Sequence, residues 1–353
     1  MNILEGMARG RFEQVVALND SSCGLSGFLV IHDTTRGPAA GGIRIYPYRT
    51  EEDALADGFR LASAMTFKGA AADLPVGGGK IVLRENPDMN REEVLRAVGR
   101  FIQGQGGRFL AGRDVGVPVA DGAWVRSETH FMVDESEKGV GDLNRSTAIG
   151  VESGARAALN FRLGVDRWEG VHVAIQGAGG VGSWLAKILA AKGAELSISD
   201  TRSEALESLS SEIRFHPVAP ADIFGASEDL FCPCAVGGVI NDQSLEKLRA
   251  RVVAGSANNV LAESKHGETL RARNITYAPD FLVNSGALIQ GIRFLLNRET
   301  DSSEAISAIG DKTRRLLDEA AARGEPPEAL LLSQTLETID SRSTWRDWSW
   351  PHN

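Results

Sequence analysis

Cysteine is scarce in this chain: there are three among 353 residues, Cys23, Cys232 and Cys234. An odd number without a framework excludes a disulfide-stapled scaffold and points to a reducing compartment. Cys232 and Cys234 flank Pro233, a spacing shorter than the about two to four intervening residues of a usual zinc pair. Small buried thiols are the expectation, and no metal is expected. Basic clusters are missing as well. The formal net charge is −9, with no Lys/Arg run to offset it, which argues against nucleic acid as a partner. No apolar run reaches the length of a membrane span, and the first residues lack a signal-peptide pattern. What remains is a cytoplasmic enzyme with neither membrane nor nucleic-acid partners. The length and a hydrophobic content of 42% are enough for two domains, each with its own core.

The densest chemistry lies between Met65 and Lys80, where Lys68 and Lys80 are separated by small residues and by Gly77-Gly78-Gly79. Thr50 and Asp53 fit a capping box, and Leu55, Phe59, Ala62 and Met65 recur at helical spacing. Lys68 is therefore expected near the end of a core helix that Pro75 and the glycines break. Ile81-Val82-Leu83 reads as a strand, with Lys80 where a glycine loop enters it. Two lysines in a partly dry cleft repel each other, and burial and repulsion both lower a lysine pKa. One then stays charged to hold a carboxylate while the other serves as a base near neutral pH. The alternative is two lysines snorkelling from a helix end and a loop.

Arg108-Phe109-Leu110-Ala111 reads as a short strand ending at Gly112-Arg113-Asp114. An aspartate at a strand end between glycines is either a functional side chain or a turn cap. His32, at the polar exit of the apolar run Gly27–Ile31, is expected to make ordinary hydrogen bonds. Further on, the strand pattern Val171–Gln176 runs into Gly177-Ala178-Gly179-Gly180-Val181-Gly182, then into a helical pattern to Ala191. A second strand, Glu195–Ser199, ends at Asp200 with Thr201 beside it. This strand–turn–helix setting matches a dinucleotide-binding turn. The glycines permit the tight turn, close approach to the pyrophosphate and helix packing, and Asp200 would accept bonds from the adenosine ribose. NAD is favoured over NADP, with Arg202 keeping the question open.

Three motifs in order, Gly37–Arg44, Met65–Lys68 and Gly77–Lys80, resemble the glutamate/leucine/phenylalanine/valine dehydrogenase family, whose members oxidatively deaminate L-amino acids with a nicotinamide cofactor. The likeness extends from about Gly24 to Leu296. It implies that Lys68 binds the substrate carboxylate, that Lys80 activates the water attacking the imine, and that Asp114 exchanges protons with the substrate amine. It further implies that Thr147, Asn284 and Asn259 lie near the nicotinamide or substrate, that Ala235 lies in a cofactor-binding loop at the C-terminal end of a parallel strand, and that Gly41, Gly42 and Met65 line the substrate site. The family usually has prolines just before the threonine; here the run is Asp142–Ser146. A second departure is Gly291-Ile292-Arg293-Phe294. Glutamate-specific members carry a lysine just before the double glycine, and here that position is Ala40. The pocket-wall positions Ala40, Gly112 and Gly291 are very small, and Gly112 pairs with Leu288 as in phenylalanine-specific members.

The expected architecture is α/β with two domains separated by a cleft. A substrate domain covers 1–134, completed by C-terminal helices at about 319–353, and a Rossmann-type NAD domain covers 147–318. The expected reaction is NAD-dependent oxidative deamination of a hydrophobic L-amino acid to the 2-oxo acid and ammonia, with phenylalanine or tryptophan above leucine or valine. A branched-chain dehydrogenase and a catalytically silent NAD-binding sensor are the rivals. A homo-oligomer, dimer or larger, is expected, with Trp345, Trp348 and Trp350 in its tail packed on the protein's own surface or at an oligomer contact.

Overall fold

The structure, a computed structural model, describes residues 3–227 and 229–340. The tail tryptophans lie outside the described residues. The chain forms two compact units. One comprises Met1–Gly141, Gly291–Asp301 and the chain from Thr335; the other comprises Asp142–Gln290 and Ser302–Gln334. The change of unit at Gly141/Asp142 falls between the two expected domain ranges, after 134 and before 147. The C-terminal expectation needs correction: residues 319–334 pack with the second unit.

The first unit is built on a five-stranded sheet of β1 (Gln14–Asp20), β2 (Leu25–Asp33), β3 (Ala39–Tyr46), β4 (Gly77–Arg84) and β5 (Phe109–Arg113), in the order β1-β2-β4-β3-β5. The β1/β2 and β2/β4 pairs are antiparallel, whereas β3 runs parallel to both β4 and β5. Side chains alternate across a sheet, and here the two faces serve different helices. Leu29, Ile31, Ile43, Ile45, Ile81, Leu83 and Phe109 face one way, onto a core with Val94, Leu95, Val98 and Ile102 of the helix Arg91–Gly104. Val30 and Val82 face the other way, toward Ala54, Leu55, Phe59 and Ala62 of the long helix Glu51–Ala71. Burying Leu55 and Phe59 contributes roughly 1.5–3 kcal/mol each. That helix opens with the expected Thr50/Asp53 capping box. It ends at Ala72 and Asp73, whose φ of 58° leaves the helical region.

The glycines before Lys80 are part of β4 and not a loop leading into it. Gly77 and Gly78 remove side chains where another backbone passes, and Gly79 removes one against the Phe109 ring. A Cβ on Gly77 would collide with the Asp33 carbonyl, and one on Gly78 with the Thr66 backbone of the long helix.

The second unit holds a six-stranded, wholly parallel sheet of β6 (His172–Gln176), β7 (Glu195–Ser199), β8 (His216–Pro217), β9 (Leu230–Pro233), β10 (Val252–Val253) and β11 (Thr276–Tyr277). Its order is β11-β10-β9-β6-β7-β8. Counted within the unit this is 6-5-4-1-2-3, the doubly wound dinucleotide-binding order, which reverses between β6 and β9. No helix among the described residues is long and apolar enough to cross a membrane.

Candidate active site

In the first unit the chemistry gathers on the face of the sheet that the long helix covers. Gly78 and Lys80 share that face, and the lack of a side chain at Gly78 lets the helix settle close at Ala62 and Thr66. The last turns of the helix, carrying half-buried Met65 and Lys68, thus lie over the face that bears Lys80. His32 Nδ1 bonds Thr66 Oγ1 at 2.8 Å, the ordinary role expected of it.

On β3, Gly42 stands directly opposite Gly112 on β5. A Cβ on Gly42 would lie 2.8 Å from Asp114 Cβ and 2.9 Å from Lys80 Nζ, so the bare backbone is what lets these groups meet. They meet in an ion pair, Lys80 Nζ to Asp114 Oδ2 at 2.7 Å. Lys80 is 5% exposed. Burial pushes its ammonium down and Asp114 pulls it up, leaving it below the usual lysine value. Burial would raise the Asp114 carboxyl, but the charges and hydrogen bonds of Lys80 and Arg44 outweigh that and hold it at about 2. Asp114 is therefore an anion throughout the physiological range, beside a lysine whose proton is loosened by desolvation.

The loop carrying Asp114 is fixed by its neighbour. Arg113 donates to Glu135 from Nε at 2.6 Å and from Nη2 at 2.5 Å, and to the Val117 carbonyl at 2.8 Å. The sequence reading gave no role to Arg113 or Glu135, and none to Arg44 beyond its place in a motif. For Arg44 the signal was available: it stands two residues after Gly42 on one strand, hence on the same face.

The three small wall positions differ. A Cβ on Gly112 would meet nothing within 4 Å, so this glycine borders open space. Ala40 is 1% exposed, enclosed between β4 and β5. Gly291 is buried, and a Cβ there would come within 3.0 Å of Val133 Cγ2. Its smallness serves packing, so the expectation that three missing side chains widen one pocket narrows to Gly112. Gly41 is buried too, close against the Gly79 carbonyl.

In the second unit the glycine turn stands at the strand-order reversal. Gly177 has φ 104°, a conformation that favours glycine, and a Cβ there would lie 2.9 Å from Ala235 Cβ. Ala235 thus abuts the turn from the end of β9. A Cβ on Gly182 would strike the Gly177 carbonyl, whereas Gly179 faces open space. The helix Gly180–Ala191, which includes Val181, begins inside the glycine run. Asp200 Oδ2 accepts from the Ala178 amide at 2.8 Å, and Oδ1 from the Arg202 amide at 2.9 Å. Burial opposes its ionisation, but these bonds and the Arg202 charge hold the carboxyl below its usual value. Asp200 therefore braces the turn, and Thr201 beside it is exposed.

Gly286, two residues after Asn284, packs against the start of the helix that carries Thr147: its Cβ would collide with the Ser146 carbonyl and lie against Thr147 Cα. Asn284 is 5% exposed and donates from Nδ2 to the Ser256 carbonyl at 3.2 Å and to Asn258 Oδ1 at 3.0 Å. Its Oδ1 is buried without a partner. An orphaned acceptor and a bare glycine turn within one doubly wound unit fit a ligand bearing an amide and a pyrophosphate, as a nicotinamide dinucleotide does. Asn259 has φ 53°, and its amide donates to Asp280 Oδ2 at 2.7 Å. Leu288 is half-buried in the same unit. The unusual run before Thr147 has its own anchor. Asp142 caps the helix Leu143–Leu163 through the Asn144 amide and accepts from the Trp184 indole at 2.6 Å.

One carboxylate–histidine group, Asp242, Glu263 and His266, has metal-like spacing. Its charges are already matched: Lys265 Nζ lies 3.1 Å from Asp242 and 3.3 Å from Glu263, and His266 bonds Asp242 and the Glu263 amide.

Residues 12–138 match the Glu/Leu/Phe/Val dehydrogenase dimerisation domain, and residues 196–292 match the Glutamate/Leucine/Phenylalanine/Valine dehydrogenase domain. The chain is 42% identical over 292 residues to a leucine dehydrogenase of Geobacillus stearothermophilus, covering 82% of this chain and 80% of that one. It is 43% identical over 286 residues to a phenylalanine dehydrogenase of Caldalkalibacillus thermarum, covering 79% and 77%. The crystal structure of L-tryptophan dehydrogenase from Nostoc punctiforme matches with a TM-score of 0.81 at 32% identity, over 96% of this chain and 98% of that one. The ion pair in one unit and the doubly wound sheet in the other thus sit in an oxidoreductase acting on CH–NH2 donors. The chain belongs to the Glu/Leu/Phe/Val dehydrogenase family and is an L-amino-acid dehydrogenase.

Proposed function

We infer that the enzyme carries out NAD-dependent oxidative deamination of a hydrophobic L-amino acid, with phenylalanine or tryptophan preferred to leucine or valine. The observation that carries the chemistry is the buried Lys80–Asp114 pair at 2.7 Å. When bound, the nicotinamide supplies the hydride acceptor. Lys68 holds the substrate carboxylate. Asp114, ionised well below neutral pH, takes a proton from the substrate ammonium, and the freed lone pair assists loss of the α-hydride. Lys80 removes a proton from the water that adds to the resulting imine carbon. Asp114 then returns its proton to the departing amine and, ionised again, takes the hydroxyl proton as the C–N bond breaks, leaving the 2-oxo acid and ammonia. Desolvation of Lys80 suits it to this role because it favours the neutral amine.

Support for NAD comes from Asp200, whose negative charge at the end of β7 disfavours a 2′-phosphate, and from the unpartnered Asn284 Oδ1. Support for an aromatic side chain is the open space at Gly112, together with the Gly112/Leu288 pairing in the sequence that resembles phenylalanine-specific members. The absence of a lysine at Ala40 disfavours glutamate. The match of residues 12–138 to a dimerisation domain supports a homo-oligomer, and the three free cysteines suit a reducing, cytoplasmic compartment.

A screen of the twenty L-amino acids with NAD and NADP, following reduced cofactor by absorbance, tests the reading. An aromatic substrate with NAD should give the highest kcat/KM. Leucine or valine above both aromatics would overturn the substrate preference, and faster turnover with NADP would overturn the cofactor. Sedimentation showing only monomer at micromolar concentration would overturn the assembly.

A further inference from the structure

Asp114 receives two cations on one oxygen. Lys80 Nζ at 2.7 Å and Arg44 Nε at 2.9 Å both reach Oδ2, and Oδ1 takes no protein hydrogen bond among the described residues. Arg44 does not belong to Asp114 alone. Its Nη1 donates to Asp57 Oδ2 at 2.9 Å, the same oxygen that accepts from the Tyr48 hydroxyl at 2.6 Å. The other oxygen, Asp57 Oδ1, accepts from Arg60 at 2.6 Å. Tyr48 stays protonated, because burial and the Asp57 charge both raise its pKa. The result is a chain running from Tyr48 and Asp57 on and beside the long helix, through Arg44 on β3, to Asp114 and Lys80. Side chains of Arg44 and Asp57 are only 18% and 17% exposed, so their charges act with little screening.

We propose that Arg44 is a positioning residue for the reaction: it turns the Asp114 carboxylate so that Oδ1 meets the substrate amine, and Asp57 with Tyr48 sets how much of its charge reaches the Lys80–Asp114 pair. This rests on the reading that Lys80 and Asp114 carry the proton transfers. Geometry supports it first. A forked guanidinium presents separate donors, fixed in one plane, to Asp57 and Asp114, whereas an ammonium is a single point charge on a flexible stem that does not fix their orientation. Electrostatics supports it second. The charged groups on the elements packed about Lys80 are Asp114 after β5, Arg44 on β3, and Asp57 and, in the last turn, Lys68 on the long helix. Arg44 drives the Lys80 proton off, whereas Asp114 and Asp57 retain it. Arg44 and Asp57 therefore act on Lys80 with opposite sign.

The test is the pH dependence of kcat/KM for L-phenylalanine and L-leucine with NAD in the full-length enzyme, whose rising limb reports the base of the free enzyme. Arg44→Gln should move that limb to higher pH and lower kcat on the order of tenfold to a hundredfold, as misplacement of a reacting group does. Arg44→Lys restores the charge without the fork, so the limb should return toward its original pH while kcat stays low. Asp57→Asn should move the limb to lower pH. Thermal unfolding of each variant separates these effects from loss of folded protein. An unmoved limb in Arg44→Gln, with activity falling only as folded protein falls, overturns the proposal. So does a shift of the same sign in Arg44→Gln and Asp57→Asn. Should Arg44→Gln fail to fold, the Asp57→Asn limb decides alone, and an unmoved limb there is the refutation. Near-normal turnover in Lys80→Ala would instead sink the underlying assignment of the base.

Discussion

Asp114 in the first unit and Glu328 in the second are both carboxyls largely withdrawn from water, yet they titrate at opposite ends of the carboxylate range. Burial pushes both upward. Asp114 has Lys80 and Arg44 on it and comes down to about 2. Glu328, in the first turn of the helix Pro327–Asp340, is raised by burial to about 7; its own backbone amide helps, but Glu268 and Asp280 add negative charge. Its Oε2 is buried without a partner. Desolvation alone therefore decides little; what decides is whether cations answer it. Asp200 supplies a third case, held down chiefly by backbone amides. Of the three, only Asp114 is paired with a buried lysine whose own pKa is lowered, and this is the pair to which the proposed mechanism gives the proton transfers.

The largest effect should come from breaking the Asp114 side of this contrast. Asp114→Asn, or Lys80→Ala, should cut turnover by roughly 10²-fold or more while NAD still binds, as loss of a general acid or base does. Steady-state kinetics and NADH fluorescence titration measure the two halves. Retained turnover in either variant would show that the pair is structural.

Asp200→Ser sharpens the third case. The amide bonds to the turn weaken and the negative charge disappears, so the NAD preference over NADP should shrink by about tenfold. Kinetics with both cofactors check this; an unchanged ratio would make Asp200 a brace only.

Glu328→Gln tests the other end. In the native state the carboxyl keeps its proton up to about pH 7, whereas in the unfolded chain it ionises near 4.5. Between those values the native state binds more protons, so stability falls as pH rises, and the penalty is complete above about 7. Glu328→Gln should therefore stabilise the protein at pH 8 by on the order of 1–3 kcal/mol, and very little at pH 4. Asp114 has the reverse sign: its contribution is full above the usual aspartate value and is lost as pH falls toward 2. Urea unfolding of Glu328→Gln at both pH values decides, and equal effects would refute the raised pKa.

The smallest effect is expected from Gly112→Ala with Leu288→Val. The added methyl meets no protein atom, so stability should hold, and preference should move from aromatic toward leucine and valine by about 1–3 kcal/mol. Relative kcat/KM values measure it, and an unmoved ratio would remove Gly112 from the wall.

Much of this was legible in the residues. The capping box at Thr50, the helix carrying Lys68, the strand carrying Lys80 and the glycine turn with Asp200 all follow from local pattern, because each depends on neighbours within a few positions. Long-range partners were not legible. Asp57 joins Arg44 and Tyr48 only through the fold, and Arg113 finds Glu135 across 22 positions. The triple glycine was misread as a loop because glycine signals a turn as readily as a strand crossed closely by other backbone. Gly291 was misread for a related reason: smallness in sequence does not tell empty space from tight packing.

Gly42 and Gly112 face each other on neighbouring strands, yet only Gly112 has room for a side chain. A substitution at Gly42 lands on the reacting groups and is closed to variation. At Gly112 an added methyl meets no protein atom, so the strand can gain a side chain there while the Lys80–Asp114 pair beside Gly42 stays as it is.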